Sequence, residues 1–194
     1  MKKVIFLSCI FALAVSGAAQ SGIKKHKKDG KGGKKMTLTI TSPAFRHNAY
    51  IPKKHACGGE DVSPELRWEG LPAGAKSIAV IMDDPDAPPG AWVHWILFDI
   101  PPSLTGLEEN VAKEETLPDG SKHGLVWGVN DGDFNRVGYH GPCPPPGKPH
   151  RYFFKVYALD KVLGLLPKSA KNALLKAMQG HILAQGELIG LYER

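Results

Sequence analysis

The 194-residue chain is long enough for one domain that buries most of its apolar surface, and 42% hydrophobic with 23% charged residues is a globular composition. Glycine (22) and proline (16) are abundant, which favours turns and short strands over long helices. The formal charge of +6 does not describe a nucleic-acid surface: residues 24–35 carry +6, Lys2 and Lys3 add +2, and everything from Met36 onward sums to −2.

Lys2-Lys3, the apolar run Val4–Val15 and the small residues Ser16–Ala19 have the layout of a secretory signal peptide over residues 1–19. The run is short for a bilayer span of about 20 residues. Cys9 interrupts the run instead of ending it, which does not suit a lipoprotein. In a bacterium such a leader sends the mature protein to the periplasm or out of the cell. Residues 20–35 (QSGIKKHKKDGKGGKK) hold one strong hydrophobe and are expected to be a disordered, lysine-rich linker. It is either a tether to anionic membrane or cell-wall polymer or a solvated spacer; salt screening favours the spacer.

The folded domain is expected over 36–194. Met36–Ser42 alternates and reads as a strand, and Lys53–Pro64 reads as a loop. Leu66–Trp68 is a short strand. Ser77–Met82 (SIAVIM) and Trp92–Ile100 (WVHWILFDI) read as neighbouring strands joined by the rigid acidic turn Asp83–Pro88 (DDPDAP). Leu125–Val129 is a candidate short strand in a weakly patterned connection. Arg151–Leu159 alternates strongly. Ala170, Ala173, Leu174, Ala177 and Met178 sit at helical spacing, with Ser169 as expected N-cap and Gly180 as stop. His181–Arg194 returns to a β pattern. The expected fold is mainly β, largely antiparallel, with one late helix and no internal repeat.

Two proline-stiffened loops each stand beside a histidine that opens a strand: DDPDAP with His94, and GPCPPPGKP with His150-Arg151-Tyr152. With both loops at one end of the sheet, Asp84, Asp86, His94, His150 and Tyr152 wall a pocket. Asp84 and Asp86 have the plainer alternative of capping their own turn. A histidine held by a carboxylate donates to an anion, Tyr152 adds a hydroxyl, and Gly141 permits close backbone approach. The chemistry suits phosphate, sulfate or carboxylate. Arg151 is expected to pair with an aspartate, and Trp95 and Phe153 to be core.

GEDVSPELRW (59–68), DDPDAP (83–88), VHW (93–95), GPCPPPGKPHRYFFKVYALD (141–160) and LLKAMQGHILAQGELIGLYER (174–194) together resemble the phosphatidylethanolamine-binding protein family, in its bacterial Raf-kinase-inhibitor-like branch. The resemblance implies two antiparallel β-sheets, a β-sandwich, with peripheral helices including one near the C-terminus. It implies a pocket for a small anion or phospholipid head group, without a cofactor or metal, formed by Asp84, Pro88, His94, Gly141, Pro142, His150 and Tyr152. Asp86 and Arg151 would support it. His140 stands where the family has a small residue, usually glycine, and would narrow the mouth or add a donor; 130–135 form a longer approach to the second loop. A protein partner such as a kinase or protease is a further implication.

Without the leader two cysteines remain, Cys57 and Cys143, which an oxidising compartment would pair; two buried free thiols are the alternative. A hydrolase reading would use Cys143 or a serine with His94 or His150. No G-x-S-x-G elbow and no cysteine-protease signature supports it. The eight histidines lack the spacing of a helical zinc pair. The sequence is therefore read as a binding protein, not an enzyme.

Overall fold

The structure is a computed structural model and describes residues 36–88, 90–126 and 136–194. In chain order these form β1 (Met36–Thr37), β2 (Thr39–Thr41), β3 (Ala49–Tyr50), a 3₁₀ turn (Lys53–His55), β4 (Leu66–Glu69), β5 (Ser77–Asp84), β6 (Trp92–Ile100), β7 (Gly106–Leu107) and β8 (Lys122–His123). There follow β9 (His150–Leu159), α1 (Lys171–Met178) and β10 (Ile182–Tyr192). The larger sheet runs β1-β10-β9-β5-β6-β8, with β3 also on β10, and the smaller runs β2-β4-β7. All pairings are antiparallel except those of β1 and β3 with β10. The mainly β architecture of two sheets expected from the sequence is the one observed.

The two faces of the larger sheet explain its sequence patterns. One face packs on the smaller sheet through Met82, Trp95, Leu97, Phe154, Val156 and Leu188, against Ile40, Leu66 and Trp68. The other is covered by Leu174 and Met178 of α1, which meet Ala79, Ile81, Ile96 and Phe98. Covered on both sides, β5 is buried at every residue, and β6 at every residue after Trp92. This is why they read as continuous apolar runs. β9 keeps a half-exposed alternation.

Three local expectations are corrected. The Met36–Ser42 run is two strands, not one: β1 lies in the larger sheet and β2 in the smaller, and buried Leu38 between them donates its N–H to Gln185 O at 2.9 Å. Asp83 and Asp84 belong to β5 and not to the turn, since both pair across to β6. Ser169 does not cap α1; its hydroxyl donates back to Leu166 O at 2.7 Å, and Ala170 is the N-cap. Gly180 does follow the helix with φ +80°. Of the candidate strand 125–129, Val126 makes an isolated antiparallel bridge to Arg136; residues 127–135, with the longer approach at 130–135, lie outside the described residues. The leader and linker lie outside them as well.

Candidate functional site

Strand irregularity builds the site. Met82 pairs with Trp95 and Asp83 with Val93, so β6 carries one extra residue, His94, at that point. Strict alternation would send His94 and Trp95 to opposite faces. The bulge instead lets His94 join Asp84 and Tyr152 on the side facing the smaller sheet. β5 and β9 are adjacent, so Asp84 at the end of one strand reaches His150 at the start of the other.

These side chains line a cavity of about 100 Å³ with Ala87, Pro88, Trp92, Cys143, Pro144 and Pro145. That volume suits a few waters or one small oxyanion. A second depression of about 470 Å³ lies over β1, β9 and β10, with Lys155, Gln185 and Glu187 on its walls. It is larger but brings no histidines together.

The hydrogen bonds fix what each group offers. His150 Nδ1 donates to Asp84 Oδ2 at 2.8 Å, and both residues are buried. Asp84 Oδ1 also accepts from the Asp86 N–H at 2.8 Å. His94 Nδ1 donates to His140 O at 2.7 Å, while the His140 N–H donates to His94 O at 3.0 Å. Each imidazole therefore spends Nδ1–H on the protein, leaving Nε2 as the second ring nitrogen. Burial holds the His94 pKa below its usual value, against the His140 carbonyl and Asp84, so its neutral form is favoured. The Tyr152 ring packs edge-on against His94, centroids 5.2 Å apart. Burial foremost, then the nearby Asp84 charge and the pull of that carboxylate on the hydroxyl proton, pushes the Tyr152 pKa up, so the hydroxyl stays protonated, although the pair is not aligned as a well-formed hydrogen bond. Among the described residues no atom completes a hydrogen bond to that buried hydroxyl.

Of the residues assigned to the pocket, Asp84, Pro88, His94, His150 and Tyr152 are brought together, and Gly141, Pro142, Asp86 and His140 are not among its lining. Gly141 is glycine for packing: a Cβ there would lie 2.1 Å from His55 O, and its N–H donates to Asp61 Oδ1 at 2.6 Å. Pro142 turns its carbonyl to the Cys57 N–H at 3.1 Å. Asp86 faces Arg151, accepting from its backbone N–H at 3.0 Å, from Nε at 2.8 Å and from NH2 at 2.7 Å; the guanidinium bonds foremost lower the Asp86 pKa to about 2. This locks the turn, as expected of both residues. His140 contributes its backbone, and its ring is turned toward Asp61, 3.9 Å away, so it does not narrow the mouth. Trp95 is core, whereas Phe153 is half-exposed, with Lys155 Nζ 5.3 Å from its centroid.

Cys57 and Cys143 are joined in a disulfide with Cα atoms 5.4 Å apart, so the free-thiol alternative and a cysteine nucleophile both fall away in this state. The sequence reading missed Trp92, Pro144, Pro145 and Cys143 as cavity wall, and Asp61 as the residue that holds the second loop. Asp61 stands within the GEDVSPELRW motif, but nothing local there announces its partner eighty residues on.

The family profile described as phosphatidylethanolamine-binding protein matches residues 41–193. A UPF0098 protein of Methanothermobacter thermautotrophicus is 52% identical over 157 residues, which cover 81% of this chain and 99% of that protein. The crystal structure of a PEBP homologue, CT736, from Chlamydia trachomatis superposes with a TM-score of 0.71 at 39% identity, covering 81% of this chain and 98% of that one. Escherichia coli YbcL, described as a member of the mammalian PEBP family, gives a TM-score of 0.71 at 33% identity with the same coverage.

Proposed function

The chain belongs to the phosphatidylethanolamine-binding protein family, and from that premise we propose that it captures a small phosphate-like anion, free or as a phospholipid head group, between Asp84, His94, His150 and Tyr152. The observation that carries this reading is the Tyr152 hydroxyl, buried on the wall of the cavity beside Asp84, with no well-formed hydrogen bond among the described residues. Leaving such a group unpaired costs about 1–3 kcal/mol, and a ligand oxygen removes that cost. Asp84 does not oppose the anion as a free charge, because one oxygen holds His150 and the other holds the Asp86 N–H. It fixes the His150 tautomer and aims Nε2. The site is read as a binding pocket without a catalytic role.

Residues 1–19 are the export signal in this reading, and 20–35 a lysine-rich linker that serves as a solvated spacer. The domain then works in the periplasm or outside the cell, where the Cys57–Cys143 disulfide is at home. A protein partner, such as a kinase or protease, that responds to the occupied cavity is the regulatory half of the proposal.

The test is nitrogen-15 NMR of the histidine rings during titration with inorganic phosphate and with O-phosphorylethanolamine. Vesicles with and without phosphatidylethanolamine separate a free anion from a lipid source. Saturable shifts at His94 and His150 Nε2, with His47 and His181 unmoved, support the site; shifts confined to other histidines sink it.

A further inference from the structure

The cavity wall contains a bond that chemistry can open. Cys143 lines the cavity and is half-exposed, while its disulfide partner Cys57 is the more exposed of the two. The Arg194 guanidinium approaches Cys143 Sγ, with NH1 at 3.5 Å. We propose that Cys57–Cys143 is an exchangeable redox site: an external thiol attacks Cys57, Cys143 leaves as a thiolate into the cavity, and anion affinity falls. The affinity arm rests on the anion-binding reading above; the direction of attack does not.

Thiol–disulfide exchange selects the sulfur that is accessible and the leaving sulfur whose anion is better stabilised. Greater exposure favours Cys57 for attack, and the adjacent guanidinium favours Cys143 as the leaving sulfur. In the first step the attacking thiolate bonds to Cys57 Sγ, the Cys57–Cys143 bond breaks, and its electron pair stays on Cys143 Sγ. In the second, another thiolate attacks the mixed disulfide, freeing Cys57 as a thiolate. The two external thiols end as their own disulfide, two electrons have passed to the protein, and their two protons are shared between the cysteines and solvent.

The surroundings make this a local event. The Cys57 N–H to Pro142 O bond (3.1 Å), the Gly141 N–H to Asp61 bond (2.6 Å) and the Tyr139 hydroxyl to His55 O bond (2.7 Å) all join the same two loops. They keep the loops together once the sulfurs part. What changes is charge: a thiolate appears on the cavity wall. An anion entering there meets added repulsion.

The test uses the oxidised full-length protein with reduced glutathione, acid quenching and mass mapping of the adduct. At least tenfold more adduct on Cys57 than on Cys143 is expected, with a smaller ratio in Arg194→Gln. An even distribution, or an excess on Cys143, overturns the assignment. In parallel, phosphate binding at pH 8 is expected to weaken at least fivefold on reduction, with the near-ultraviolet circular dichroism retained. Cys57→Ala, which leaves Cys143 free, is expected to match the reduced protein. Equal affinity in both redox states, or loss of tertiary signal on reduction, overturns the coupling. Absence of phosphate binding in either state removes the anion reading and the coupling with it, while the adduct position still decides the direction of attack.

Discussion

Asp84 Oδ2 accepts a hydrogen bond from His150 Nδ1 at 2.8 Å, between residues 66 apart in the chain and both buried. His94, the other imidazole of the cavity, is held from a different side, by the carbonyl of His140. One carboxylate and one carbonyl thus set two tautomers, and both rings keep Nε2 for a ligand.

Asp84→Asn keeps an acceptor oxygen for the His150 N–H but removes the carboxylate charge from the cavity wall. Affinity for O-phosphorylethanolamine is expected to fall more than tenfold by calorimetry. The melting temperature is expected to drop by only a few degrees, the shift for about 1 kcal/mol in a domain of this size. Unchanged affinity would remove Asp84 from the site.

His94 is held neutral by burial, so an anion that needs its Nε2 as a donor must bring a proton with it. Sulfate, which does not titrate near neutrality, is the clean probe. Its affinity is expected to rise by up to about tenfold per pH unit as pH falls from 8 toward the depressed His94 pKa. His94→Gln is expected to flatten that dependence. Without ligand the sign reverses: the unfolded chain binds the proton first. Stability from neutral His94 is present above the ordinary histidine pKa and is lost as pH falls through the folded value.

Gly141→Ala separates packing from ligand contact. The added methyl would lie 2.1 Å from His55 O, and the backbone there has to shift. A stability loss of about 1–3 kcal/mol in urea unfolding is expected, as for overpacking elsewhere. If stability holds and only anion affinity falls, Gly141 belongs to the cavity after all.

Removing the disulfide as Cys57→Ser/Cys143→Ser frees a loop closed over a sequence separation of 86. Chain entropy sets the expected loss at roughly 4 kcal/mol in denaturant unfolding. A loss under 1 kcal/mol would mean that the unfolded chain is already compact enough for the disulfide to add little restraint.

The fold was legible wherever burial writes itself into composition. The apolar runs of β5 and β6 are continuous because both faces of those strands are covered, and β9 alternates because one of its faces stays half open. The candidate cavity was legible by residue type: Asp84, His94, His150 and Tyr152 do converge. What could not be read was connectivity through space. Asp84 serves His150 and not His94, because a one-residue bulge and a 46-residue reach to His140 decide the His94 partner. Gly141 and Pro142 carried the motif but face the Cys57 loop, a contact that no local pattern encodes. The single run Met36–Ser42 concealed a change of sheet for a similar reason, since alternation is the same on either side of Leu38.

The central claim is that the Tyr152 hydroxyl serves a ligand and not the fold, and Tyr152→Phe tests it with two numbers from one protein. The expected result is a ligand-free melting temperature equal to or above that of the parent, together with at least a tenfold loss of affinity for inorganic phosphate. A lowered melting temperature with unchanged phosphate affinity would contradict it, because the hydroxyl would then be bonded within the protein.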